Sequence, residues 1–274
     1  MNILICGGNG FIGKNLLNRL SKRSDLNIRA TYFNSVPKKR NNTEWIQADL
    51  RNSNDAKKVL EDIDIVFQYA ATSTGSKDIL SKPYIHVTDN VIINSILIRE
   101  SFENNIKHFV FPSCTIMYKH GTKPLKEIDF NENDDIYDKY YGAGNTKVYL
   151  EKMCKFFSSF NKTKFTVLRQ SNIYGPYDKF NLETSHVLGA TISKVMGLNE
   201  ILNVWGDGEE YRDFLYVDDL TKLLEIVVFQ QKSQYELINA AFGKSVSISE
   251  LVNTVNKVAK RKKLIKYDKT KPTI

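Results

Sequence analysis

The chain has 274 residues, 42% apolar and 26% charged, enough to bury the core of one large α/β domain or of a domain with a smaller partner. No apolar run approaches the ~20 residues of a membrane-spanning helix, so no membrane association is expected. The three cysteines, Cys6, Cys114 and Cys154, are too few for a disulfide framework. The net charge of +8 comes from scattered lysines and arginines whose densest groups, Lys38-Lys39-Arg40 and Lys260-Arg261-Lys262-Lys263, are short; these read as solvated faces, and no nucleic-acid partner is expected.

Met1 leads into the apolar run 2–6 with no basic start and no cleavage site, which reads as a strand and not as a signal peptide, and a cytoplasmic setting is expected. A helix is predicted from about Gly10, strands over 27–33 and 44–47, and a helix from Ser53. A strand over 64–69 and a helix from Thr88 follow, then a strand over 108–112, a helix from Gly144 and a strand over 164–169. The last predicted elements are a helix from Leu220, a strand over 235–239 and a helix from Ser249. The strands lack strict alternation, as they do when both faces of a sheet are covered. The expected fold class is therefore α/β, a doubly wound parallel sheet of Rossmann type, built from residues 1–170 and 212–244. Residues 171–211 and 245–274 fit the alternation poorly. They are expected to form a smaller C-terminal substrate lobe over the carboxyl edge of the sheet, with no final helix or strand to close it.

The pattern Gly7-x-x-Gly10-x-x-Gly13 follows the first strand and opens the first helix. Loops without side chains let backbone approach a pyrophosphate, and the helix that follows aims free N–H groups and its dipole at the charge, with Phe11 and Ile12 in its first turn. At the end of the second strand the sequence reads Thr31-Tyr32-Phe33-Asn34-Ser35, with no carboxylate to take a ribose 2′-hydroxyl or repel a 2′-phosphate. With Asn34, Lys38 and Arg40 available to hold such a phosphate, NADP is the expected cofactor, NAD the alternative. The same basic residues also read as a plain solvated loop. No metal is called for.

Taken together, these motifs and several later ones resemble the extended short-chain dehydrogenase/reductase family, whose members remodel nucleotide-linked sugars. The carriers beyond the glycine loop are Asp49-Leu50, Tyr69-Ala70-Ala71, Asn90, the run Arg169-Gln170-Ser171-Asn172-Ile173-Tyr174-Gly175-Pro176, and Arg212-Asp213-Phe214-Leu215-Tyr216-Val217-Asp218-Asp219. The resemblance implies that Asp49 and Leu50 meet the adenine, that Ala70 and Ala71 run along the cofactor, and that Asn90 belongs to its site. Within the family the chain is most similar to the GDP-fucose synthase branch, through Gly175-Pro176-Tyr177-Asp178-Lys179-Phe180, Ser185-His186-Val187 and Trp205-Gly206-Asp207-Gly208. That branch implies His186 as an acid near the sugar and Cys114 as its counterpart. Asn172, Lys179 and Arg212 would bind the substrate, with Arg212 as the diphosphate clamp.

The same resemblance implies a catalytic tyrosine four residues before a lysine on one helix face, and a serine or threonine hydroxyl that orients the substrate oxygen. Lys147 fits the lysine, which also holds the cofactor ribose, but Ala143 stands four residues before it. Tyr141, six residues back and about 240° around a regular helix, serves only if Gly142-Ala143-Gly144 holds it off the helix. Tyr140 lies on the same face as Lys147 but about 10 Å along the axis. Tyr141 is the expected catalytic tyrosine, Tyr140 the alternative. For the hydroxyl, Ser113 or Thr115 is expected; Cys114 reads equally as an epimerisation base or a small buried residue. Ile116-Met117 replaces the Asp-Glu pair of the family's dehydratases, so dehydration is not expected.

The function expected is that of an NADP-dependent enzyme reducing or epimerising a nucleoside-diphosphate sugar at C4, with or without epimerisation at C3 and C5. The alternative is a dinucleotide-binding sensor or scaffold without catalysis. The resemblance further implies a homodimer formed through the helices at 90–103 and 146–160, and a family length that continues past residues 267–274.

Overall fold

The computed structural model of the chain describes residues 1–40, 42–72, 82, 84–121 and 123–271; of the last stretch, 267–274, residues 272–274 lie outside the described residues. Strand β1 (Asn2–Cys6) leads through the glycine loop into helix α1 (Phe11–Leu20). Then come β2 (Asn27–Tyr32), β3 (Thr43–Gln47), α2 (Ser53–Leu60), β4 (Ile65–Gln68), α3 (Tyr84–Glu103), β5 (His108–Cys114), α4 (Tyr141–Ser158) and β6 (Lys164–Gln170). With β10 (Tyr235–Ala240), these strands form one parallel seven-stranded sheet in the order β3-β2-β1-β4-β5-β6-β10. The chain leaves β1 toward β2 and returns to its other side at β4. The carboxyl ends of those two strands are therefore where a ligand crevice opens.

Alternate residues of β1 feed opposite faces of the sheet, as the two-residue period of a strand requires. Ile3 and Ile5 pack with Leu16, Leu17 and Leu20 of α1, and with Leu220 and Leu224 of α6 (Val217–Gln230). Leu4 and Cys6 pack with Val59 and Leu60 of α2, Ile93 and Leu97 of α3, and Leu150 and Cys154 of α4. The expected doubly wound parallel sheet is present, with helix starts displaced by up to four residues. Asn52, not Ser53, caps α2 by accepting from Asn54 N, and Ser247, two residues before the expected cap, accepts from Glu250 N at 3.0 Å to open α7 (Ile248–Val258).

Beyond the sheet's carboxyl edge, β7 (Asn172–Tyr174), β9 (Tyr211–Tyr216) and β11 (Ser245–Ser247) make a three-stranded sheet. Helix α5 (Val187–Met196), strand β8 (Ile201–Trp205) and α7 surround a third core of Val195, Leu202, Val204, Ile248 and Val252. No closing strand is expected from the sequence at the end of the chain, but β12 (Leu264–Asp268) pairs in parallel with β8 from Leu264↔Ile201 to Asp268↔Trp205. Its pattern is too short and too mixed to be recognised without its partner. Among the described residues no helix is long and apolar enough to cross a membrane.

Candidate functional site

A cleft of about 870 Å³ runs from the glycine loop across the carboxyl ends of β1, β4, β5 and β6 to α5. At its phosphate end, Gly7 has φ +69°, and a Cβ there would lie 2.7 Å from Tyr69 O; a Cβ on Gly13 would lie 2.4 Å from Gly7 O. The loop thus closes on bare backbone, fixed by Gly8 N donating to Thr31 O and Gly7 N donating to Thr31 Oγ1, both at 2.9 Å. No side chain caps α1 at Gly10 and its first turn carries no acid, which leaves the helix N-terminus suited to an anion. Phe11 and Ile12 line the cleft beside these glycines. This is a cradle a pyrophosphate fits and a side chain would fill.

Farther out, Phe33, Asn34, Ser35, Asp49 and Leu50 line the cleft, but the loop's basic residues do not. Lys38 is exposed, and Arg40 donates to Asn18 Oδ1 on α1 at 2.7 Å. A cation that sequence reasoning passed over stands here instead. Arg51 donates through Nε and Nη2 to Asp49 at 2.9 and 2.8 Å, and this pairing holds the Asp49 carboxyl below its ordinary range. Its position directly after Asp49-Leu50 was the available signal. Ala70 and Ala71 line the middle of the cleft, while Asn90 acts from behind it: its side chain accepts from Thr72 N and donates to Thr72 O, both at 3.0 Å, pinning the strand exit.

At the inner end, Lys147 on α4 reaches back to the end of β5, where Nζ donates to Pro112 O at 2.6 Å and lies 4.8 Å above the Phe111 ring. Burial pushes its pKa down. Burial pushes the Cys114 thiol up, with Lys147 opposing, and both residues line the cleft. Ser113 lies across the ladder from Arg169, and its hydroxyl donates to Glu151 Oε1 at 2.5 Å; Glu151 in turn takes Arg169 Nη2 at 2.7 Å. The Ser113 hydroxyl is thus committed to a buried ion pair one helical turn beyond Lys147. Thr115 stands outside the cleft lining, its hydroxyl 3.5 Å from Gln170 O.

The expected loop at Gly142-Ala143-Gly144 is helix instead. Helix α4 starts at Tyr141, and the glycines serve close packing: a Cβ on Gly142 would meet Val87 Cγ2 at 2.7 Å, and one on Gly144 would meet Ile136 Cγ2 at 2.9 Å. Tyr141 therefore stays on the helix, 66% exposed and outside the cleft lining. Tyr140, at the cap with non-helical φ −106° and ψ 3°, is half-buried. Burial raises its phenol pKa, with the guanidinium of Arg212 opposing, and like Tyr141 it stands outside the cleft lining.

Of the other residues expected to meet the sugar nucleotide, some line the cleft and some do not. His186, the cap residue of α5, lines the cleft with Lys179 and with Asp178, which the sequence reading did not assign. Desolvation lowers the His186 pKa against the pull of Asp178, and raises that of Asp178. Asn172 lines the cleft while its amide donates to Asp213 O at 2.9 Å; Arg212 is outside the lining, donating to Tyr211 O at 2.8 Å. Ser171 also lines the cleft, and among the described residues its buried Oγ has no hydrogen-bond partner. Among the described residues no cluster of three or more His, Cys, Asp or Glu side chains is placed to hold a metal.

A parallel sheet with its crevice at the switch point, a glycine cradle and a lysine–cysteine–histidine inner end define a Rossmann enzyme built for a dinucleotide. Residues 3–241 match the NAD dependent epimerase/dehydratase family, and the chain belongs to it. A GDP-L-colitose synthase of Yersinia pseudotuberculosis is 23% identical over 99% of this chain and 86% of its own length. A GDP-L-fucose synthase of Azorhizobium caulinodans is 26% identical over 98% of this chain and 84% of its own. The structure of a UDP-glucose 4-epimerase from Thermotoga maritima, solved with UDP-glucose, matches with a TM-score of 0.84 and 23% identity, covering 98% of this chain and 85% of that one; it speaks for the fold.

Proposed function

We propose that the protein is a nicotinamide-dinucleotide-dependent enzyme that reduces or epimerises a nucleoside-diphosphate sugar at C4, with or without epimerisation at C3 and C5. The observation that carries this reading is the single cleft joining the glycine cradle to Lys147, Cys114 and His186. NADP is the favoured dinucleotide, because no carboxylate lines the cleft at the end of β2, and Asn34 and Ser35, which do line it, suit a 2′-phosphate. When bound, the dinucleotide supplies or accepts the hydride. Residues 171–211 and 245–274 serve as the sugar-nucleotide lobe.

The inner-end residues then divide the proton work. Tyr140 Oη exchanges a proton with the sugar's O4, since it is the half-buried cap residue of the helix that carries Lys147, whereas Tyr141 is exposed. Lys147 Nζ, held by Pro112 O, orients the ribose hydroxyls and keeps positive charge beside the reacting oxygen. His186 and Cys114 are the candidate acid and base for inversion at a carbon next to the keto group, and Lys179 and Arg212 offset the diphosphate charge. A homodimer through α3 and α4 accords with the exposed Ile92, Tyr149 and Phe156 on those helices. A cytoplasmic setting accords with three unpaired cysteines.

The test is to follow NADPH absorbance with a panel of GDP-, UDP- and TDP-linked 4-keto sugars. Substrate-dependent loss of NADPH is expected with at least one. Binding of NADPH without turnover of any sugar, or of the matching 4-hydroxy sugars with NADP, would instead leave a dinucleotide-binding sensor or scaffold.

A further inference from the structure

Among the described residues that line the cleft, the cations are Arg51, Lys147 and Lys179, and Arg51 alone stands at the end away from the sugar. Its surroundings are unusual for a phosphate ligand. Nε and Nη2 bond to Asp49 at 2.9 and 2.8 Å, and Nη1 approaches Asp89 Oδ2 at 3.3 Å. Asp89 is itself fixed by Thr72 Oγ1 at 2.9 Å. Three of the five N–H donors of the guanidinium are thereby engaged, one on each nitrogen, and the trio Asp49–Arg51–Asp89 carries a net negative formal charge that disfavours a phosphate at the two donors left. What Arg51 best offers a ligand is a flat face. The centre of the guanidinium lies 5.4 Å from the centroid of the Phe33 ring, and Phe33, Asp49, Arg51, Thr72 and Asp89 all line this end of the cleft.

We infer that Arg51 is an adenine-binding residue whose guanidinium face stacks on the base of the dinucleotide, opposite or alongside Phe33, while Asp49 and Asp89 hold its plane across the cleft. A planar cation needs no particular base edge to stack, and fixing it in advance removes the cost of ordering it on binding. Arg51 thus contributes affinity through shape and polarisability, not through charge on a 2′-phosphate. The inference rests on the dinucleotide reading of the cleft.

Calorimetric titration of the full-length protein with ADP-ribose and with 2′-phospho-ADP-ribose separates the alternatives, using the native chain, Arg51→Ala and Arg51→Lys. Lysine retains the charge that offsets the repulsion between Asp49 and Asp89 but has no plane, so it also guards against a fold defect in the alanine variant. The expected result is an affinity loss of about tenfold for both ligands in both variants, the size of one lost base–guanidinium stack. Restoration by lysine with either ligand overturns the inference, because charge then suffices. Unchanged affinity in both variants overturns it too, leaving Arg51 a strut between two carboxylates. Native protein that binds neither ligand removes the dinucleotide reading and this inference with it.

Discussion

The two ends of the cleft are built on different principles. At the phosphate end the groups that meet a ligand are backbone N–H groups and the N-terminus of α1, and their positions follow from three glycines and one strand–helix junction. At the inner end the groups are side chains from β5, α4 and α5, and whether they meet depends on helix register and on what packs beneath them. The first is a local property of seven residues. The second is a property of the whole sheet, and there a shift of one residue in the start of α4 changes which of two adjacent tyrosines is exposed.

The sharpest break between the ends comes from that pair of tyrosines. Tyr140→Phe is expected to lower turnover by about 100- to 10,000-fold, the range of a lost general acid or base, and to leave ADP-ribose affinity unchanged. Tyr141→Phe is expected to change turnover by less than about twofold, since its side chain is exposed and substitutions at such positions have small effects. Equal losses in both variants, or a loss only in Tyr141→Phe, would mean that α4 begins differently when substrate is present. The comparison then fails at its inner end.

The support beneath that end is a stability question. Arg169 is 2% exposed and carries its charge against Glu151, with Ser113 on the same carboxylate and Tyr118 on Arg169 Nη1 at 2.9 Å. Glu151→Ala leaves that charge unpaired and is expected to cost about 3–5 kcal/mol in urea unfolding. A loss under about 1 kcal/mol would show that water or a neighbour replaces the carboxylate. The inner end would then tolerate change as a surface does.

The smallest effect tests the correction at the start of α4. Alanine normally favours a helix over glycine by about 0.5–1 kcal/mol, yet a Cβ at position 142 would press on the stiff side chain of Val87. Gly142→Ala is therefore expected to lower stability by about 1 kcal/mol, read as a fall in melting temperature. A rise would mean that α3 and α4 do not need this close approach and that the glycine has another reason to be there.

Much of the site was legible in the sequence, the glycine loop from its own spacing and the inner residues through the family resemblance, and the losses have identifiable causes. The glycine loop, Lys147, Cys114 and His186 stood out because each belongs to a short motif, and all of them line the cleft. Gly142-Ala143-Gly144 misled because glycine signals both a helix break and a close contact, and only Val87 and Ile136, distant in sequence, distinguish the two. Ser113 looked available until its strand neighbour Arg169 brought Glu151 to it. Lys38 and Arg40 looked like phosphate ligands because a run of bases carries no direction; in the fold Arg40 turns to Asn18. Strand β12 was missed because a strand is defined by its partner, and β8 lies some sixty residues earlier.

By itself the sequence determined the doubly wound sheet and the anion cradle, because hydrophobic pattern and glycine spacing act over a few residues and tolerate little else. It also carried the family membership. The tertiary structure alone decided which hydroxyls and cations are free to act. Ser113, Arg40, Arg51 and Tyr141 each have the right chemistry, and in each case a long-range partner or the lack of burial sets what that chemistry can reach. A side chain's donors can be spent once only, and which partner takes them is settled by packing between segments that the linear order keeps far apart.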